Sequence, residues 1–364
     1  MYFIDLVQPY ITNGFVTTKT LDELIIFNYT QKCTYEKAWD NITKQCRGLI
    51  YNQETKEIVA RPFPKFFNIG ENEETQLGNL PIEDYEVFEK YDGILGILYR
   101  HRGEYKIATR GSFDSPYAIW ATNYFKKRFV DSYDIQLPDD ITLLFEIIYP
   151  EGKIIIDYGD TKDLVLIGGY NFKTGKELST NVLSTISNQW GFTLSKRYMI
   201  SLSDCISNKK SLPKDSEGYV IKFVNGLRVK VKGDEYLKIS RALQNLSPLH
   251  IWENIVLGKL PDSFKQKIPE ELHEYMNEVE GKLLNQWHQL FWTTESIWET
   301  LNKNYIFNTK KEFAELIRTI PECKEYSSLL FKYFDTIKSN NPNLESSLDE
   351  IIKEMIKPKG NKLD

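Results

Sequence analysis

The spacing of apolar residues changes near residue 240, and the change limits this chain to a β-rich part followed by a helical one. Before that point, short runs of strand-forming residues are separated by Gly, Pro, Asn and Asp: RGLIYN, YEVFEKY, ILGILYR, EYKIATR, ITLLFEIIY, KIIIDYG, LVLIGGYN, EGYVIKFV and LRVKVKG. One helical stretch interrupts them, SPYAIWATNYFKKRFV, in which Ser115 caps and Pro116 takes the first helical position. Beyond residue 240, Leu272, Met276, Val279, Leu283, Trp287 and Leu290 recur at helical spacing, as do Phe313, Leu316, Ile317 and Ile320, and LESSLDEIIKEMI follows. The expected fold class is therefore α+β, with an antiparallel-sheet domain over 1–240, an all-α C-terminal domain over 241–364 and a frayed tail, KPKGNKLD.

Composition narrows the function classes. A chain of 364 residues exceeds one ordinary core, and at 41% hydrophobic and 13% aromatic it buries a sizeable interior. A net charge of −5 gives no global attraction to nucleic acid, so a polyanion site has to be a local patch. Cys33, Cys46, Cys205 and Cys323 form no CxxC pair, and His101, His250, His273 and His288 are scattered, so neither a disulfide framework, a zinc site nor histidine-based chemistry is expected. The start, MYFIDLVQPY, does not read as a signal peptide, and no apolar run approaches the ~18 residues of a membrane span. A cytoplasmic protein with no membrane association is expected.

The polar residues that interrupt apolar strands carry the chemistry. In VFEKYDGILGILY, Asp92-Gly93 alone is explained by a hairpin turn, but Lys90 is not. An ordinary lysine is a poor nucleophile at neutral pH, and one desolvated or set among cations is activated by loss of its proton. Glu146 stands in LLFEIIY, where an unpartnered carboxylate costs several kcal/mol unless it faces a cavity, a cation or a ligand hydroxyl; an exposed edge strand is the alternative. Glu217 opens EGYVIKF, and Gly218 permits a close backbone approach. In LRVKVKGD, period two puts Arg228, Lys230 and Lys232 on one face, where they repel unless an anion lies over them or solvent separates them. Arg47 in CRGLIY, Arg61 and Lys65 in RPFPKFFN, and Arg110 in ATRGS complete a set of cations large enough for a polyphosphate.

Taken in order, these motifs resemble the covalent nucleotidyltransferase superfamily of polynucleotide ligases and mRNA capping enzymes, and most closely the ATP-dependent RNA ligases of the T-even phage type. The residues that carry the resemblance are Lys90-Tyr91-Asp92-Gly93, TRGS, LLFEIIYPEGKIIIDY, EGYVIKF and VKVKG, with CRGLIY and RPFPKFFNIGENE specific to the RNA ligase branch; it covers about residues 40 to 240. Arg110 departs from the lysine expected there, replacing a point charge with a planar two-point contact.

The resemblance implies a nucleotidyltransferase (ATP-grasp-like ligase) fold and an RNA ligase mechanism. Lys90 would attack the α-phosphate of ATP to give lysyl-AMP, with Lys230 and Lys232 on the α-phosphate and Arg47 and Lys65 on the departing phosphates. Asp92, Gly93 and Arg110 would belong to the nucleotide site, and Glu146 and Glu217 would serve the ribose and Mg2+. AMP would pass to an RNA 5′-phosphate, and a 3′-hydroxyl would displace it, as in repair of broken tRNA. A monomer paired in function with a polynucleotide kinase/phosphatase is expected. A DNA ligase, a capping-type enzyme and a non-catalytic RNA-binding module are the alternatives; the first two usually follow the last motif with a small β-barrel, where this sequence reads as helix.

Overall fold

The computed structural model describes residues 2–256, 273–338 and 344–358; Leu272 and the tail from residue 359 on lie outside the described residues. The chain divides into two compact units, Met1–Leu237 and Lys238–Asp364.

Three sheets build the first unit. The first has the order β1 (Val16–Leu21), β2 (Leu24–Tyr29), β3 (Arg47–Asn52) and β4 (Glu57–Ala60), all antiparallel. The second is centred on β7 (Ile94–His101) and β9 (Ile141–Ile148), flanked by β8 (Glu104–Ala108), β10 (Asp163–Asn171) and the short β11 (Thr193–Leu194). The third runs β12 (Arg197–Tyr198), β6 (Tyr85–Lys90), β13 (Gly218–Phe223), β14 (Arg228–Lys232) and β5 (Phe67–Asn68). Only the short edge strands β11 and β5 pair in parallel, so the sheets are predominantly antiparallel.

Strand alternation decides what each face does. Val87, Tyr219, Ile221, Val229 and Val231 of the third sheet pack into one core with Cys205. Phe88, Lys90, Val220, Lys222 and Arg228 leave by the other face and line a cavity. Between the first two sheets, Leu24, Ile26 and Ile50 meet Leu95, Ile97 and Leu144. On the far side of the second sheet, Phe125, Phe129, Phe145 and Phe192 form an aromatic core under the helices Pro116–Phe125 and Thr180–Trp190.

The structure corrects the sequence reading in two places. KIIIDYG is not a strand: a 3-10 turn, Pro150–Gly152, leads into bends, because the N–H groups of Ile155 and Ile156 are taken by a carboxylate instead of a neighbouring strand. Nor is Pro116–Phe125 the lone helix before residue 240; Phe3–Thr12 and Thr180–Trp190 are helical too, the latter with Val182, Leu183, Ile186 and Trp190 at helical spacing. Ser115 caps as expected, its Oγ accepting from the Ala118 N–H at 3.2 Å, and the helix runs on into a π-helical turn, Lys126–Val130.

In the second unit, each described element is a helix or helical turn. Helices His273–Asn304, Lys310–Thr319, Ser327–Lys338 and Leu344–Met355 gather around Trp298, Phe313, Leu329, Phe334 and Leu348.

Candidate active site

Strand register brings Lys90, Glu217 and Lys232 together. Gly218 lies opposite Lys90 on one side and Lys232 on the other, so the residue before it, Glu217, reaches both lysines. Lys90 Nζ is 2.7 Å from Glu217 Oε2, and Lys232 Nζ is 2.8 Å from Oε1. Glu217 is 3% exposed, so its charge depends on these two cations for compensation. The close approach needs glycine next door: Gly218 has φ +138°, and a Cβ there would lie 2.0 Å from the Val231 carbonyl oxygen.

Lys230 completes the cluster without a carboxylate of its own at that range among the described residues. Burial, reinforced by the charges of Lys65, Lys90 and Lys232, pushes its ammonium down to about 7. Its Nζ sits 5.6 Å from the Phe66 ring centre. Arg228, the third cation on that face, turns elsewhere. It forms a two-point ion pair with Glu177, which also holds Lys222 at 2.7 Å, and its guanidinium lies 4.1 Å over Phe63. Protein carboxylates thus lie over two of the three strand cations and leave Lys230 as the member most starved of negative charge.

The Asp92-Gly93 loop is fixed by contacts that local sequence does not announce. Asp92 Oδ2 accepts from the N–H groups of Ile155 and Ile156, both at 2.8 Å, and Oδ1 accepts from the Tyr236 hydroxyl at 2.7 Å. Its own N–H donates to the Tyr158 hydroxyl at 2.9 Å. Asp92 is therefore an anchor for the loop that follows Lys90, spending its carboxylate on the protein. A Cβ on Gly93 would sit 2.6 Å from the Ile147 carbonyl oxygen and 2.8 Å from Glu146 Cγ, so the loop closes this tightly only with glycine.

Gly93 donates its N–H to Glu146 Oε1 at 3.2 Å. Burial raises the Glu146 carboxyl to about 7, with the Glu217 charge adding to the rise and Lys90 and Arg47 opposing it. Glu146 faces a cavity of about 720 Å3 whose wall also includes Arg47, Phe66, Lys90, Gly93, Arg110 and Ile154. Arg47 lies 5.6 Å over Phe66; burial pulls its guanidinium down, and its Nη1 is buried with no hydrogen-bond partner among the described residues. A buried donor without an acceptor costs about 1–3 kcal/mol, which an anionic ligand would recover. Arg110 stacks on Tyr29 at 4.9 Å and donates to its hydroxyl at 2.9 Å, the planar contact a lysine would not make. Lys65 sits in a box of Phe67, Trp39 and Tyr29, at 4.9, 5.6 and 5.9 Å.

Of the ten residues given a site role by the resemblance, Arg47, Lys90, Gly93, Arg110 and Glu146 border the cavity, as does Arg228. Glu217, Lys230 and Lys232 stand beside Lys90, Lys65 adds its charge to that of Lys230, and Asp92 holds the loop from behind. Sequence reasoning missed Tyr158, Tyr236 and Glu177. Tyr236 follows Lys232 by four residues in KGDEY, and that proximity is the one signal that pointed to it.

Known proteins resemble this chain in sequence and in fold. The chain is 23% identical over 363 residues to a protein of Autographa californica nuclear polyhedrosis virus assigned as a bifunctional polynucleotide kinase/RNA ligase, covering 92% of this chain. It spans half of that relative's own length. It is 21% identical over 348 residues to an RNA ligase of Rhodothermus phage RM378, covering 76% of this chain and 77% of the phage protein. Among solved structures it resembles an archaeal ATP-dependent RNA ligase, with a TM-score of 0.52 over 77% of this chain and 78% of the other at 12% identity, a likeness of fold. Residues 45–236, more than half of the chain and the whole stretch from Arg47 to Tyr236, match the profile of the RNA ligase family, and the chain belongs to that family.

Proposed function

We propose that this chain is an ATP-dependent RNA ligase that joins a 3′-hydroxyl to a 5′-phosphate through lysyl-AMP and RNA-adenylate intermediates. The observation that carries the reading is Lys90, on the cavity wall, bound by a buried carboxylate and flanked by two further lysines. Attack requires the Lys90 amine to shed a proton, and Glu217 is an acceptor within reach at 2.7 Å. The Nζ lone pair then forms a P–N bond to the α-phosphorus of ATP, the bond to the bridging oxygen breaks, and pyrophosphate leaves with that electron pair. Lys230 and Lys232 neutralise charge as it builds on the phosphate, the contribution that is usually largest in such transfers. The orphaned Nη1 of Arg47 and the aromatic-boxed Lys65 suit the departing phosphates. AMP passes to the RNA 5′-phosphate, and the 3′-hydroxyl displaces it.

The residues fit a magnesium ion, which would supply further charge neutralisation on the phosphates. Mg2+ takes few carboxylates and keeps several waters. Glu146, a half-buried acid facing the cavity, suits it, whereas both oxygens of Glu217 are engaged by lysines until one of them lets go.

Residues 1–240 would then carry adenylylation and 241–364 the choice of RNA. The fused kinase in the name of the viral relative supports functional pairing with an end-healing kinase, and hence RNA repair, tRNA included, in a reducing compartment where the four buried cysteines stay thiols. Incubation with ATP, Mg2+ and 5′-phosphorylated single-stranded RNA should give circular or joined products, with DNA of the same sequence sealed much more slowly. Sealing of DNA in preference to RNA would overturn the assignment.

A further inference from the structure

Two hairpin ends meet away from the cavity. Asp22 and Glu23 form the two-residue turn between β1 and β2, and His101 is the last residue of β7, in the neighbouring sheet. His101 is 4% exposed, and both its ring nitrogens are buried without a hydrogen-bond partner among the described residues. An imidazole in that state is costly, since each of its nitrogens ordinarily finds a donor or an acceptor. Its Nε2 lies within ion-pair range of two carboxylates, 3.4 Å from Asp22 Oδ2 and 3.4 Å from Glu23 Oε1. The three ligand atoms all lie within 4.8 Å of one another, the one such group among the described residues.

The spacing is informative. Bonds of about 2.1 Å at tetrahedral angles place neighbouring ligand atoms about 3.4 Å apart, the separation on both His101 edges. One imidazole and two carboxylates form a donor set suited to a borderline divalent ion such as zinc, in preference to calcium or magnesium, which take oxygen ligands. Arg102 is the competing charge: its Nη2 lies 3.1 Å from Asp22 Oδ2. The same oxygen has a second lone pair, so Arg102 can remain as an outer partner that orients the carboxylate, the usual surrounding of a metal-bound acid.

We infer that Asp22, Glu23 and His101 form a divalent transition-metal site of zinc type, separate from the nucleotide cavity, which ties the β1–β2 turn to the end of β7 and leaves its fourth position to water. An ion bound there would add to the stability of the folded chain by mass action.

The test uses the whole chain, stripped with EDTA and then equilibrated with Zn2+ alone. Wild type should retain one more equivalent of zinc than Asp22→Asn or Glu23→Gln, each of which should weaken uptake at this site by at least ~10-fold, as loss of even an outer partner does. Asn tolerates the left-handed φ of +52° at position 22, so that variant keeps the turn. Co2+ should give wild type, and not the variants, the visible absorption of a tetrahedral ion. Zinc should raise the melting temperature of wild type and leave that of Asp22→Asn unchanged. Equal zinc content in wild type and both variants, or none in wild type, would overturn the proposal.

Discussion

Glu217 and Glu146 are both carboxylates set into apolar strands near Lys90, and the fold treats them in opposite ways. Glu217 is 3% exposed yet satisfied, with a lysine on each oxygen at 2.7 and 2.8 Å. Glu146 accepts one backbone N–H at 3.2 Å, and burial holds its carboxyl at about 7, well above the usual range. The first is a finished electrostatic arrangement that positions the lysines. The second is strained toward protonation, which is what a group waiting for a cation or a ligand hydroxyl looks like. Burial alone therefore does not mark a ligand site; burial without compensation does.

Removing Lys90 should have the largest effect. Lys90→Ala is expected to abolish joining of 5′-phosphorylated RNA with ATP while still sealing RNA that already carries a 5′-adenylate, because in the proposed reaction Lys90 acts in the first step alone; loss of both activities from a folded variant would mean that the lysine does more than carry AMP. Lys230→Ala and Lys232→Ala should each lose ~10²-fold or more in adenylylation rate, the scale of removing a preorganised charge partner. Near-normal turnover in either would make that strand face ordinary surface.

The two glutamates can then be set against each other by stability. Glu217→Gln leaves two lysines facing an uncharged amide and should cost about 3 kcal/mol in urea unfolding at pH 8. Glu146→Gln should instead gain roughly 2 kcal/mol at pH 8, discounting for solvent at the cavity wall. The sign follows from the raised carboxyl: above about 7 the folded wild type carries a buried charge it disfavours, the cost begins as pH rises through the ordinary carboxylate value, and below that value both states are protonated and the difference vanishes. Equal signs for the two variants at pH 8 would break the comparison.

Smaller still is a proton. With Lys230 at about 7 in the free protein, a bound anion should raise it, so pyrophosphate binding without metal should take up a fraction of a proton, and affinity should fall as pH climbs above about 7. Calorimetry in buffers of different ionisation enthalpy reads this directly, and Lys230→Arg should abolish it; uptake unchanged in that variant would assign the proton elsewhere. Deleting residues 245 to 364 is expected to change self-adenylylation least of all while altering which RNAs are joined, and a folded but label-negative truncation would contradict that division of labour.

What the sequence disclosed followed from locality. Lys90, Asp92 and Gly93 lie within four residues, and the alternation of Lys230 with Lys232 follows from strand geometry, so both were legible. Contacts closed by the fold were not. Tyr236 lies 144 residues from the Asp92 it binds, and Tyr158 lies 66 away. KIIIDYG misled for the same reason: its apolar run looks like a strand, but Ile154 lines the cavity, Ile156 is buried, and the N–H groups of Ile155 and Ile156 belong to Asp92. The role of Asp92 as an anchor could not be read from a spacing that any nucleotide-contacting acid would share.

The most direct test of the central claim is to mix the purified chain with Mg2+ and α-labelled ATP, without nucleic acid, and to ask whether label survives on the denatured polypeptide. The account predicts a labelled band that excess unlabelled ATP competes away and that Lys90→Ala does not form. A folded wild-type protein, shown not to be adenylylated already, that takes up no label, or a Lys90→Ala protein that keeps it, would contradict the account.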